Sequence, residues 1–217
     1  MKTGASTKAM VRDQVVGRRI RSRHVIGALL RVDRRIFVPA GSAAQALGDH
    51  PVSIACGQTV SQPYMVALML DALQVRRGMS VLEVGSGSGY VLALLGAMGA
   101  QPCGVEWHEE LARRIPDRLS AARCGAAAVR CGDGGLGWLE KAPFDRILVS
   151  AACPRVPPPL LQQLAPEGIL VAPVDAPGGG AQVLLRMTKA HDGVEVEDLG
   201  GCVFVPLVGR FGRQDER

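Results

Sequence analysis

The sequence predicts an α/β fold with a mostly parallel, doubly wound sheet and antiparallel strands towards the C-terminal end. Three observations carry this expectation. From Gly78 onward, short apolar runs of strand length alternate with stretches of helical spacing, the pattern of parallel βαβ units covered on both faces. A glycine-rich turn, Gly85-Ser86-Gly87-Ser88-Gly89, follows the first of these strands and opens a helix. Beyond Val174 the texture changes to strand-like segments separated by His191-Asp192-Gly193 and Gly200-Gly201, which read as hairpin turns. With 217 residues, 47% hydrophobic and 21% charged, the chain has the makeup of one globular domain and not of a disordered segment.

Residues from about Lys8 to Val38 have helical spacing, with Val11, Val15, Ile20, Val25, Leu29 and Leu30 set between arginines, and Pro39 closes the segment. Gly41 to Gln58 is rich in Ala, Gly and Ser without periodicity and reads as a loop, long enough to serve as a mobile lid. Pro63 opens a helix through Leu73, since a first-turn proline lacks only an N–H that would have no helical partner. Strands follow at Ser80–Val84, Cys103–Val105, Ala128–Cys131, Arg146–Ser150 and Ile169–Val174. Helices lie at Tyr90–Met98, Glu109–Arg123 and Pro157–Leu164. The tail is expected as three antiparallel strands, Gln182–Thr188, Val194–Leu199 and Cys202–Val208, with Pro177–Gly180 as a turn or mobile loop before them.

The net charge of +5 and the crowding of Arg12, Arg18, Arg19, Arg21, Arg23, Arg31, Arg34 and Arg35 near the N-terminus invite a nucleic-acid reading. Only Phe37 supplies an aromatic nearby, so the stacking platforms of single-strand binders are missing. The solvated face of an amphipathic helix accounts for these arginines better. The N-terminal MKTGASTKAMVRDQ carries no apolar core of signal-peptide length and no segment is long enough to span a bilayer, so a cytoplasmic, membrane-free protein is expected. Cys56, Cys103, Cys124, Cys131, Cys153 and Cys202 form no C-x-x-C pair, and His24, His50, His108 and His191 are dispersed. Free, mostly buried thiols and no metal site are expected.

The glycine turn carries the first chemical signal. Bare backbone can approach a ligand there because glycine has no Cβ and can take positive φ. Its spacing is G-x-G-x-G and not the G-x-G-x-x-G of dinucleotide folds, and it resembles motif I of the Rossmann-like methyltransferases that use S-adenosylmethionine. Glycines also mark ordinary tight turns. Two acids strengthen the ligand reading. Glu106 ends the strand after the turn, where a carboxylate can accept hydrogen bonds from both ribose hydroxyls, and Asp133 ends the next, where it could meet an adenine amino group. Either acid alone is more often a helix cap than a ligand contact. In order on successive βα units, turn and acids together favour adenosine binding at the carboxyl ends of the strands. The (N/D)-PP-(Y/F) tetrapeptide of many amino-methylating enzymes is absent; the position reads Ser150-Ala151-Ala152-Cys153-Pro154.

Seven blocks in order resemble the protein-L-isoaspartate O-methyltransferase family: RVDRRIFVP (Arg31–Pro39), GQTVSQPYMVALML (Gly57–Leu70), VLEVGSGSGY (Val81–Tyr90), GVEWHEELA (Gly104–Ala112), GDGGLGW (Gly132–Trp138), Ala142–Val174 and FVPLVG (Phe204–Gly209). The resemblance implies a single methyltransferase domain over 1–217. It comprises N-terminal helices and a substrate-side loop (1–77), a cofactor-binding core (78–175) and C-terminal strands and tail (176–217). It implies a monomeric repair enzyme that moves a methyl group from S-adenosylmethionine to the α-carboxylate of L-isoaspartyl residues in damaged proteins. The ester then closes to a succinimide that hydrolyses partly to aspartate. It assigns Ser61 as the catalytic residue and Thr59, Gly85, Ser86, Gly87, Gly89, Glu106, Trp107, Asp133 and Gly134 to the cofactor. Ser61, Cys56, Cys202 and Val203 fall on the peptide side. Ala55, Cys56, Leu47 and Val203 depart from the family's usual residues and are expected to border the peptide site.

No histidine stands beside Ser61, so a triad nucleophile is not indicated. A substrate carboxylate with a pKa of about 4 is already ionised at neutral pH and needs no base. A neutral hydroxyl can hold one of its oxygens without adding a full counter-charge. The bland alternative is Ser61 as cap of the helix opening at Pro63. Two functional rivals stay open: an S-adenosylmethionine-dependent enzyme acting on another peptide or a nucleic acid, and a non-catalytic binding module that keeps the fold.

Overall fold

The computed structural model describes residues 6–214. The first described element is α1 (Thr7–Met10), which runs into a π-helical turn at Val11–Val16 and is followed by α2 (Arg23–Arg31). The long helical stretch expected over Lys8–Val38 is therefore divided. Arg19 takes a left-handed φ of 70°, Ser22 caps α2 by accepting from the Val25 N–H, and Asp33 caps a separate 3-10 turn at Arg34–Phe37. Periodicity alone does not register such caps, because apolar residues keep their spacing across a break that re-enters the same core.

A short hairpin, β1 (Val52–Ser53) and β2 (Thr59–Val60), lies within the stretch expected as loop and just beyond it. Next comes α3 (Pro63–Leu73), with the bounds its proline suggests. The core alternates β3 (Ser80–Val84), α4 (Tyr90–Ala97), β4 (Gln101–Glu106), α5 (Glu109–Ala122), β5 (Ala128–Cys131), β6 (Phe144–Val149), α6 (Pro158–Gln163) and β7 (Leu164–Asp175). Residues Tyr90–Leu95 of α4 are all buried, which explains its uniformly apolar sequence. By contrast α5 is amphipathic: Leu111, Ile115 and Leu119 face inward while Glu109–Arg113 and Glu110–Arg114 pair at i,i+4 on the exposed side.

The sheet order is β5-β4-β3-β6-β7-β8-β9, parallel from β5 to β7 and antiparallel through β8 (Gln182–Ala190) and β9 (Gly193–Cys202). The chain winds from β3 through β4 to β5 and then crosses back to β6 on the other side of β3. The strand order thus reverses beside β3, where open α/β sheets bind ligands.

Two tail expectations need correction. Gly200-Gly201 is not a turn but a bulge inside one long strand: Val183 pairs with Gly201 while Leu185 pairs with Asp198, and Gly200 takes a φ of 104°. Nor does Cys202–Val208 form a third strand. It crosses the carboxyl ends of the parallel strands, where the Ala152 N–H donates to the Val205 carbonyl (2.8 Å) and the Leu207 N–H to the Ala152 carbonyl (2.7 Å). Pro206, without an N–H, could not continue a ladder as a donor. The arginines near the N-terminus are largely engaged within the chain: Arg12 with Asp13, Arg18 with Asp49, Arg35 with Asp33, Arg21 with the Val16 carbonyl and Arg31 with the Ala97 carbonyl. Among the described residues no helix is long and apolar enough to cross a membrane.

Candidate functional site

Two cavities meet at the carboxyl ends of β3, β4 and β6. The first is walled by Gly85, Gly87, Glu106, Trp107 and Gly134, with the Val205–Val208 segment closing over it. Gly85 continues the ladder by donating to the Val105 carbonyl (2.8 Å) and then turns at a φ of 79°, so that backbone faces the cavity. Gly134 shows why side chains are excluded: a Cβ there would stand 2.5 Å from Cγ1 of Val84.

Glu106 is 3% exposed, and its carboxylate is held from two sides. The Gly87 N–H donates to Oε2 (2.7 Å) and the His108 N–H to Oε1 (2.9 Å). Each carboxylate oxygen has two lone-pair sites, so both can accept again from a ligand hydroxyl. A wall of glycine backbone, an aromatic side chain at Trp107 and a fixed double acceptor at Glu106 are the chemistry that the ribose side of an adenosine group requires.

The second cavity is a broad cleft of about 990 Å³. Ser61, Gln62 and Met65 line one side; Cys202, Val203 and Phe204 line the other, with Asp175 and Arg213 paired at 3.6 Å at its margin. Thr59 and Ser150 line both cavities. Ser61 is half-buried, and its hydroxyl makes no hydrogen bond among the described residues. The cap of α3 is Gln62 without a side-chain bond, so the capping alternative for Ser61 has no support in the geometry.

Ser150 extends the β3–β6 pairing by donating its N–H to the Val84 carbonyl (2.8 Å), and its Oγ donates to Oε1 of Glu83 (2.9 Å). Glu83 lies inside the sheet and is 1% exposed. Burial holds its carboxyl well above the usual carboxylate range; the bond from Ser150 opposes this and the nearby charge of Glu106 adds to it. Its Oε2 and the hydroxyl of Tyr90 are buried without a partner among the described residues, and both residues line a small space behind Ser61.

Residues 5–212 match the sequence model of the family described as protein-L-isoaspartate(D-aspartate) O-methyltransferase. The chain belongs to this family. A protein-L-isoaspartate O-methyltransferase of Methylorubrum populi is 48% identical over 211 residues, covering 97% of this chain and 98% of the relative. One of Geobacter metallireducens is 44% identical over 209 residues, with 94% of each chain covered. Among solved structures, a protein-L-isoaspartate O-methyltransferase from Plasmodium falciparum, described as putative and in complex with S-adenosyl-L-homocysteine, superimposes with a TM-score of 0.80 at 25% identity. That match covers 93% of this chain and 98% of the other. Another protein-L-isoaspartate O-methyltransferase reaches 0.84 at 22% identity over 95% of this chain and 67% of its own, which speaks to the fold.

For a protein-L-isoaspartate O-methyltransferase, this chain brings together most of the residues that its motifs single out, but not all. Thr59, Gly85, Gly87, Glu106, Trp107 and Gly134 share the first cavity. Ser61, Cys202 and Val203 share the cleft, where Val203 is 93% exposed. Ser86, Gly89 and Asp133 lie outside the first cavity. Ser86 is buried with its hydroxyl packed where a Gly104 Cβ would go. Gly89, at a φ of 85°, faces Ile115 of α5, whose Cγ2 would be 2.9 Å from a Cβ. Asp133 caps the following 3-10 turn by accepting from the Gly135 N–H (2.8 Å) and ties down the tail through the Arg210 N–H (2.7 Å).

Cys56 and Leu47 depart further from expectation. Cys56 sits at a left-handed φ of 58° and turns its sulfur towards Oε2 of Glu110 on α5, away from the cleft. Leu47 is buried in the core. Glu83, Ser150 and the Val205–Val208 segment were not singled out as site residues, although all stand in motif blocks. The apolar Val205–Val208 run read as strand, and a serine at a strand end carries no signal until its neighbours are known.

Proposed function

We propose that this protein methylates the α-carboxylate of L-isoaspartyl residues in damaged proteins and peptides, with S-adenosylmethionine as methyl donor, and so starts their repair through a succinimide. The observation that carries the reading is the junction of the two cavities at Thr59 and Ser150, with an unpartnered Ser61 hydroxyl on the cleft side. Glu106, Trp107, Thr59 and the backbone of Gly85, Gly87 and Gly134 hold the cofactor; Ser86, Gly89 and Asp133 support that wall from behind. Bound S-adenosylmethionine supplies an electrophilic methyl group on a positive sulfonium.

The chain's own task is then mostly orientation. The substrate carboxylate is ionised at neutral pH with a pKa of about 4, so no side chain has to take a proton. Charge is lost as methylation proceeds, so a strong cationic clamp on the carboxylate would oppose the reaction. Ser61 donates its hydroxyl hydrogen to one carboxylate oxygen and leaves the other directed at the methyl group, which is catalysis by orientation. Cys202 and Val203 receive the peptide backbone around that residue. In this reading the chain is a single methyltransferase domain acting as a monomer in the cytoplasm on proteins and not nucleic acids, a setting that its six free cysteines suit.

Ser61→Ala is expected to lower methyl transfer roughly 10- to 1,000-fold, the range for loss of an oriented donor. S-adenosylhomocysteine affinity should be unchanged by calorimetry. The substrate is tested with labelled S-adenosylmethionine and matched peptides containing L-isoaspartate or L-aspartate. Base-labile label on the isoaspartyl peptide alone supports the proposal; label on the aspartyl peptide, or on nucleic acid only, overturns it.

A further inference from the structure

Arg34 stands in the arginine-rich stretch that composition assigns to a solvated surface, yet it is 0% exposed and among the largest fully buried side chains. Asp33 caps the 3-10 turn and pairs with Arg35 at the surface (2.8 Å), while Arg34, the residue between them, turns inward. There it meets carbonyl oxygens. Arg34 Nη1 donates to Ala46, and Nη2 donates to His50 (3.3 Å), Val60 (3.0 Å) and Ser61 (2.9 Å). Burial pushes its pKa down, opposed by Tyr90 and Asp49. A delocalised guanidinium tolerates such a site better than an ammonium, and its planar fork reaches several fixed acceptors together.

The identity of two acceptors matters. The Val60 carbonyl belongs to the peptide plane before the Ser61 α-carbon, and the Ser61 carbonyl to the plane after it. A single nitrogen of Arg34 therefore holds both planes that meet at Ser61, which limits φ and ψ there and so fixes the direction of its Cα–Cβ bond. The Ser61 hydroxyl does not hold that direction itself, because it has no partner among the described residues and does not cap α3. The same guanidinium ties Ser61 to the 46–50 loop through Ala46 and His50.

We propose that Arg34 is the positioning residue that aims the Ser61 hydroxyl into the cleft, acting through the two peptide carbonyls that flank it. The proposal rests on the reading of Ser61 given above. Arg34→Lys keeps a charge but presents one point donor in place of a fork, so it cannot hold both planes and the loop. Its kcat for an isoaspartyl peptide is expected to fall roughly 10- to 100-fold, the scale on which a misplaced group costs rate. Affinity for S-adenosylhomocysteine should stay within about twofold of wild type. The deciding measurement is the double variant: placed on Ser61→Ala, Arg34→Lys should cost almost nothing more, because the group it aims is gone.

If Ser61→Ala is impaired while Arg34→Lys turns over as wild type, the positioning proposal fails alone. It also fails if the two losses multiply in the double variant, the mark of a general structural role. Wild-type turnover by Ser61→Ala overturns the reading of Ser61 and this proposal with it. Should Arg34→Lys not fold, Arg34 is left in place and residue 62 is replaced by its α-hydroxy analogue. The Ser61 carbonyl then becomes an ester and a weaker acceptor. Reduced kcat with an unchanged circular dichroism spectrum supports the proposal, and wild-type kcat overturns it.

Discussion

The two cavities are built by opposite means. The first is made mainly from the ends of parallel strands and the turns that follow them, closed by Thr59 and the Val205–Val208 segment, with its polar contact, Glu106, fixed by two backbone N–H groups. The second is assembled from irregular pieces far apart in sequence: the turn after β2, the end of the bulged β9 and the tail at Arg213. A site at strand ends inherits its geometry from the sheet. One made from irregular segments needs its own fixings, and at Ser61 these come from Arg34 through backbone carbonyls. The difference predicts that damage to the first cavity will appear as lost cofactor affinity, and damage to the second as lost peptide recognition or rate.

The largest expected effect tests the first half of that contrast. Glu106→Ala removes a charged acceptor for ligand hydroxyls and the carboxylate to which the Gly87 and His108 N–H groups donate. Hydrogen bonds to charged groups contribute about 1.5–3 kcal/mol each, so S-adenosylhomocysteine affinity should fall roughly 100-fold or more by calorimetry. A loss confined to the peptide KM, with cofactor affinity intact, would contradict the division of labour. Val203→Asp tests the other half on a smaller scale. Val203 is 93% exposed, so the change costs little stability, and the added charge repels a substrate carboxylate in the cleft. Screened like-charge repulsion of up to about 1 kcal/mol would raise the peptide KM about fivefold. Cofactor affinity should not move, and an unchanged KM would place peptide binding elsewhere.

The same difference explains what the sequence made legible. Strand periodicity, the glycine turn and Glu106 are local signals, so β3, β5 and α3 fall at their expected bounds and the first cavity lies where the strand order implies. The inward turn of Arg34 was not legible, because an arginine among arginines reads as surface until the carbonyls around it are known. Gly200-Gly201 carried the composition of a turn, and only pairing with β8 makes it a bulge. The family resemblance placed Cys56 on the peptide side, but its left-handed backbone sends the side chain to α5.

Glu83 sharpens the comparison most finely, because it anchors Ser150, which belongs to both cavities. Its folded-state pKa is raised by burial, so the folded protein binds this proton more tightly than the unfolded chain does. The resulting stability is fully present below the ordinary glutamate value of 4.5 and is lost as pH rises through the folded value. Glu83→Gln stays neutral at every pH and keeps an oxygen for Ser150. Its Tm relative to wild type should therefore climb as pH is raised from about 5 to 8, readable because 1 kcal/mol moves Tm by about 2–4 °C in a chain of this size. A difference that does not change with pH would mean that Glu83 carries its charge inside the sheet. Both cavities would then share a buried anion, and the contrast between them would rest on Ser61 and Arg34 alone.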